Sequence, residues 1–108
     1  MDDVIRALSA PTRREILRLV RDGEMTAGSI AAQFTMTRPA VSEHLRVLRE
    51  SGLVSERREG VRRLYRARPE ALAQVRAYID QFWEDSLDRL RLAAEAEQQQ
   101  REPRSGAA

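Results

Sequence analysis

The chain has no cysteine, a single histidine, one tryptophan and, among its 19 cationic residues, no lysine. Without thiols there is no disulfide, no thiolate metal centre and no thiol redox sensor. One imidazole, that of His44, cannot assemble a transition-metal site alone, so neither a metal nor a cofactor is expected. No apolar run approaches the ~20 residues of a membrane span. The opening MDDVIRAL is acidic where a secretory leader is basic, and the expectation is a soluble cytoplasmic protein with no membrane partner. A Gly-rich phosphate loop and any Ser-His-Asp arrangement are also missing, which leaves no recognisable active site and argues against an enzyme. At 108 residues the chain is expected to form one domain, small enough that a second copy would add materially to its core.

What is present is arginine, unevenly spread. The net charge is only +2, but residues 1–68 carry 14 Arg against 9 acidic residues, whereas residues 69–108 carry 5 against 8. A basic first part and an acidic last part suggest that a polyanion meets the former. The planar guanidinium fork suits phosphate and guanine, although genomic base composition is the better explanation for the absence of lysine as such.

The chain is organised around residues 37–53, TRPAVSEHLRVLRESGL. Thr37 can cap a helix, Pro39 is tolerated in the first turn, and Gly52 can end it in the left-handed conformation. At helical spacing Val41, Leu45 and Leu48 fall on one stripe. Pro39, Ser42, Glu43 and Arg46 fall opposite, with Arg38 and Arg49 flanking. Upstream, residues 26–34 read as a short helix capped by Thr26, with Ile30 and Phe34 on one face, and a Thr35-Met36 turn leads into Thr37. Downstream, residues 53–67 read as a β-hairpin turning at Glu59-Gly60, whose arms carry Arg57, Arg58, Arg62, Arg63 and Arg66. In its second arm Arg63, Tyr65 and Ala67 alternate with Arg62, Leu64 and Arg66, and Tyr65 is expected to pack.

Two helices precede this module. Asp2 to Leu8 places Val4, Ile5 and Leu8 on one face, and a second helix from Pro11 or Thr12 buries Ile16, Leu17, Leu19 and Val20 and stops at Gly23. Arg13, Arg14, Arg18 and Arg21 are expected on its solvated face. A last helix from Pro69 to about Glu97 carries an apolar stripe of Leu72, Val75, Ile79, Phe82, Trp83, Leu87 and Leu90. A domain this small cannot cover the whole stripe, so part of it is expected to meet another chain; the alternative is that Phe82 and Trp83 pack on their own first two helices. The fold class is therefore mainly α with a small β-hairpin: a winged helix-turn-helix of four helices, a hairpin and a fifth helix. Residues 1–97 form the domain, with about 69–97 as its dimerisation helix, and the polar 98–108 is expected to be disordered.

The segments ALSAPTRREILRLV, MTAGSIAAQF and TRPAVSEHLRVLRESGLVSERREGVRRLYRA resemble the ArsR-type (arsenic-repressor-like) transcriptional regulators, over roughly residues 4–90. The resemblance implies a homodimeric repressor, joined through its first and last helices, that binds a palindromic operator in double-stranded DNA and releases it on a signal. Val4, Ile5 and Leu8 would then join the last-helix stripe at the dimer interface. Metal-sensing members carry a Cys-x-Cys pair on the helix that here reads Thr26 to Phe34, or His and Asp ligands on the last helix. Neither set is present, and Asp80, Glu84, Asp85 and Asp88 are read as a solvated face. The chain is more similar to the metal-independent branch with an FW-x-x-x-L-x-x-L pattern, here Phe82-Trp83, Leu87 and Leu90. His44 is similar to a recognition-helix His of many members, which implies a structural or backbone-contacting role before a base contact. No effector is assigned by the sequence.

On this reading Arg38, Ser42, Glu43 and Arg46 reach base edges, Thr37 and the helix N-terminus bind a phosphate, and Arg57, Arg58, Arg62 and Arg63 add phosphate or minor-groove contacts. Four phosphates neutralised per half-site would give a slope of log affinity against log salt near about −7. The rival reading is a winged-helix protein-interaction module that never meets DNA.

Overall fold

A computed structural model describes residues 1–101 of the chain. They fall in two units, Met1–Val75 and the part of the last helix from Arg76 onward. The element order is α1 (Asp2–Leu8), α2 (Pro11–Leu19), β1 (Met25–Thr26), α3 (Ala27–Ala31), α4 (Arg38–Glu50), β2 (Val54–Glu59), β3 (Arg62–Ala67) and α5 (Pro69–Arg101).

In α1 the acidic Asp2 and Asp3 sit in the first turn, where the helix dipole favours them. Its inner face is not quite the expected one. Ala7 is fully buried and Val4 and Leu8 pack partly against the core, while Ile5 is turned to solvent. Pro11 opens α2, whose missing N–H would have been unpaired in any case. The helix ends at Leu19 and not at Gly23. Val20 leaves helical geometry so that its carbonyl accepts the Ala67 N–H at 3.0 Å, and Gly23 has no left-handed role, positive φ among the described residues being confined to Gly52 and Gly60.

The sheet has three strands in the order β1-β3-β2. The expected hairpin is there, joined by a third strand of two residues, Met25 opposite Tyr65 and Thr26 opposite Leu64, too short to show any period. Glu59 pairs with Arg62, so the turn is Gly60-Val61, one residue later than expected. Gly60 has φ 63°, the positive angle that the first position of a tight two-residue hairpin loop demands.

Ile16, Val20, Ile30, Val41, Leu45, Leu48, Leu53 and Val54 form the fully enclosed centre of the first unit, each side chain contributing on the order of 1.5–3 kcal/mol by leaving water. Ala71 and Val75 in the first turns of α5 are also buried, and Leu72 packs partly against this core. In the second unit Ile79, Phe82, Trp83, Leu87 and Leu90 are exposed. Here α5 continues to Arg101, where Arg101 pairs with Glu97 one turn back, instead of ending near Glu97. Residues 98–101, expected in a disordered tail, are thus helical, and the rest of that tail lies outside the described residues.

Candidate nucleic-acid interface

α4 is held at both ends by its own sequence. The Ala40 N–H donates to Thr37 Oγ1 at 3.3 Å, and Pro39 occupies the first turn. At the other end Gly52 adopts φ 85°; its N–H donates to the Arg49 carbonyl and the Leu53 N–H to the Leu48 carbonyl, both at 3.0 Å. That pair of bonds is a Schellman stop, and it needs a residue free of the Cβ clash. Between the ends Val41, Leu45 and Leu48 are buried, while Pro39, Ser42, Glu43 and Arg46 are exposed, as the periodicity requires. The short α3, capped by Thr26 Oγ1 accepting from Ser29 N at 3.0 Å, precedes α4 across residues 32–37. Helix, turn and longer helix thus present one exposed face.

Electrostatics on that face are more structured than a row of free arginines. Arg46 donates from Nε and Nη2 to Glu43, at 2.9 and 2.5 Å, and from Nη1 to Glu50 at 2.7 Å. Hydrogen bonding to Arg46 holds the Glu43 carboxyl below the usual range, and the guanidinium is raised in turn. Arg49 reaches Glu56 on β2. Among the described residues Arg38 has no carboxylate partner, and neither do Arg58, Arg62 and Arg66 of the wing, the β2–β3 hairpin. The other two wing arginines are committed: Arg57 to Glu24 at 2.8 Å and Glu59 at 3.1 Å, Arg63 to Glu56 at 3.7 Å.

The strand register sorts the wing into two faces. Arg58 and Arg63, with Glu56 and Tyr65, share one; Arg57, Arg62, Leu64 and Arg66 share the other. The first borders the exposed side of α4, and an open groove is lined there by Arg38, Ser42, Glu43, Arg46 and Arg49 of the helix and by Arg63 and Tyr65 of the wing. Tyr65 is buried, as expected. At the tip Val61 is wholly exposed, and a second depression is lined by Arg38, Arg62, Arg63 and Gly28.

His44 is placed differently from its neighbours. It is half-buried and turned to α2, where its Nδ1 lies 3.3 Å from Arg13 Nη1; a guanidinium only donates, so Nδ1 accepts. Arg13 also donates to the Ala7 and Arg6 carbonyls at 2.6 and 3.1 Å, and Arg14 to the Leu8 carbonyl at 2.9 Å. These two arginines therefore satisfy the end of α1 and are not merely solvated, a role that spacing within α2 does not reveal. Glu24, Glu50 and Glu56 were not singled out in the sequence either. Of the three, Glu50 had a signal: it stands four residues after Arg46, the spacing at which side chains on one helix face pair. Among the described residues no three His, Cys, Asp or Glu side chains group around one ion position, and no helix is long and apolar enough to cross a membrane.

A helix-turn-helix whose longer helix shares a groove with a basic β-wing defines a winged helix-turn-helix regulator of transcription. Residues 10–56 match the family described as bacterial regulatory protein, arsR family. The chain is 40% identical over 86 residues to the HTH-type transcriptional regulator Rv2034 of Mycobacterium tuberculosis (strain ATCC 25618 / H37Rv), covering 80% of each chain. It is 45% identical over 60 residues to the transcriptional repressor SdpR of Bacillus subtilis (strain 168), covering 56% of this chain and 67% of that one. Among solved structures, the homodimeric winged helix-turn-helix DNA-binding domain of Mb0332 from Mycobacterium bovis, a possible ArsR-family regulator, matches with a TM-score of 0.63 at 33% identity, over 78% of each chain. The chain belongs to the arsR family of bacterial DNA-binding transcriptional regulators, and its relatives are regulators, not enzymes.

Proposed function

We propose that the chain is a cytoplasmic repressor that binds an inverted-repeat operator as a homodimer, each protomer laying α4 in one of two successive major grooves about 34–36 Å apart. The observation that carries this reading is the groove in which the outward residues of α4 and the basic wing face one space. Within it Ser42, Glu43 and Arg46 meet base edges, Arg38 stands beside them with no carboxylate partner, and Thr37 with the helix N-terminus takes a phosphate. Pro39 adds a rigid first turn to the same face. His44 acts from behind, through Arg13, in place of a base contact. Arg58 and Arg62 supply free charge at the tip of the wing; Arg57 and Arg63 contribute less because carboxylates already hold them.

Dimerisation draws support from the exposed apolar row of Ile79, Phe82, Trp83, Leu87 and Leu90, and from Ile5 on α1. Val4, Leu8 and Leu72 retain part of their surface for it, whereas Val75 is spent in its own core. With no thiol in the chain, thiolate metal sensing is not part of the function, and we place the chain in the metal-independent branch. The test is an electrophoretic shift with the chain's own promoter fragment, followed by a duplex carrying one half-site. Tight binding to the full site and at least about 10³-fold weaker binding to unrelated DNA is the expected result. A chain that shifts no duplex would leave the protein-interaction reading in its place.

A further inference from the structure

Arg49 and Arg63 both line the groove, yet one carboxylate, Glu56, holds them, and it is the most enclosed of the carboxylates paired with arginines of α4 or the wing. Its side chain is 11% exposed, against 45% for Arg49 and 51% for Arg63, the two guanidiniums it holds. Glu43, Glu50, Glu24 and Glu59 are all more open, from 31% to 59%. Glu56 lies on β2 opposite Tyr65, on the strand face that borders α4. Arg49 Nη1 of α4 donates to Glu56 Oε2 at 2.5 Å, and Arg63 Nε of β3 lies 3.7 Å from Oε1. One carboxylate therefore ties the last turns of α4 to both strands of the wing.

We propose that Glu56 is a positioning residue for DNA recognition, a strut that sets the spacing between α4 and the wing and keeps Arg49 and Arg63 from pairing with any phosphate on offer. This rests on the DNA-binding reading above. Two physical effects of the carboxylate oppose each other, and that makes the idea testable. Considered as charge alone, Glu56 repels the phosphate backbone, so its removal should tighten binding to every duplex. Each guanidinium released to a phosphate should steepen the slope of log affinity against log salt by about 0.9. Considered as a strut, its removal lets the wing and α4 drift out of register with base edges, so operator binding should not share the gain. Both arginines are half exposed and water can solvate them once freed, so the loss falls on geometry more than on folding.

The experiment compares Glu56→Gln, which keeps the shape and one acceptor but not the charge, with Glu59→Gln, which makes the same charge change at an exposed wing carboxylate paired with Arg57. Fluorescence anisotropy across a salt series is read on the promoter fragment and on an unrelated duplex of equal length. Glu59→Gln should tighten both alike, leaving their ratio within about twofold. Glu56→Gln should tighten the unrelated duplex and steepen its slope, while the ratio of operator to unrelated affinity falls by about fivefold or more. If Glu56→Gln does not fold, Glu56→Asp carries the test: charge is kept, reach is shortened, and the ratio should fall without a steeper slope. A ratio that follows the Glu59→Gln control, or one unchanged in both Glu56 variants, overturns the proposal while the wild-type discrimination stands. A wild type that binds neither duplex overturns the DNA reading and this proposal together.

Discussion

Arg46 illustrates how little a residue's type says about its state. On the helical wheel it is one of several outward arginines, yet each of its three nitrogens already donates to Glu43 or Glu50. These are exposed pairs and each is worth little, so base contacts can displace them. Replacing Arg46 by Ala should cost on the order of 1–3 kcal/mol on the operator and relax the preference at one base pair per half-site, whereas Arg62→Ala should weaken all sequences alike; a binding-site selection with each variant separates the two. Thr37→Ala removes the oxygen that accepts the Ala40 N–H and should lower stability by about 1 kcal/mol in a denaturant titration. Tyr65 is a different case. Burial first, and the Glu56 charge after it, push its phenol above its ordinary pKa of 10.0. The unfolded chain then loses the Tyr65 proton before the folded one, so the stabilisation is complete below pH 10 and is lost as pH rises through the folded pKa. Unfolding midpoints measured from pH 8 upward should drop above about pH 10, and less so in Tyr65→Phe. Of these residues, Thr37 was legible because a cap is local. The partners of Arg46 were also within reach, at three and four residues' spacing.

At the scale of elements, boundaries set by local chemistry were readable and those set by neighbours were not. Both ends of α4 obey their own sequence, and Gly52→Ala tests the stop: at φ 85° an added Cβ is strained, and it would also come within 3.3 Å of the Arg68 guanidinium. A loss of about 1–2 kcal/mol is expected, read by thermal or denaturant unfolding. By contrast α2 stops where Val20 meets Ala67, and β1 exists only because β3 lies alongside to pair with it. No window of sequence around residues 19–26 contains those partners. The turn between β2 and β3 moved by one residue for a related reason: the register is a property of two strands, and only one glycine position closes it with a positive φ.

For the whole molecule the decisive quantities are how many guanidiniums remain free and what covers the apolar row of α5. With phosphates meeting only the unpaired arginines at the groove and the wing tip, Arg38, Arg58 and Arg62 of each protomer, the salt slope of a dimer should lie near about −5, shallower than the −7 of four phosphates per half-site; affinities at four or five salt concentrations decide it. Trp83→Glu, placed in the exposed row, should turn a dimer into monomers in sedimentation and weaken operator binding sharply, with helicity retained in circular dichroism. The sequence by itself determined the helix-turn-helix, the hairpin and the outward face of α4, since caps, left-handed glycines and 3.6- and 2-residue periods act within a few residues. Beyond pairs within one helix, such as those of Arg46, only the tertiary structure decided which arginines are spoken for: Glu24 lies 33 residues from Arg57, and Arg13 lies 31 from His44. Charge pairing acts through space and leaves no period in the chain, so composition could count the cations without saying which ones a nucleic acid would find free.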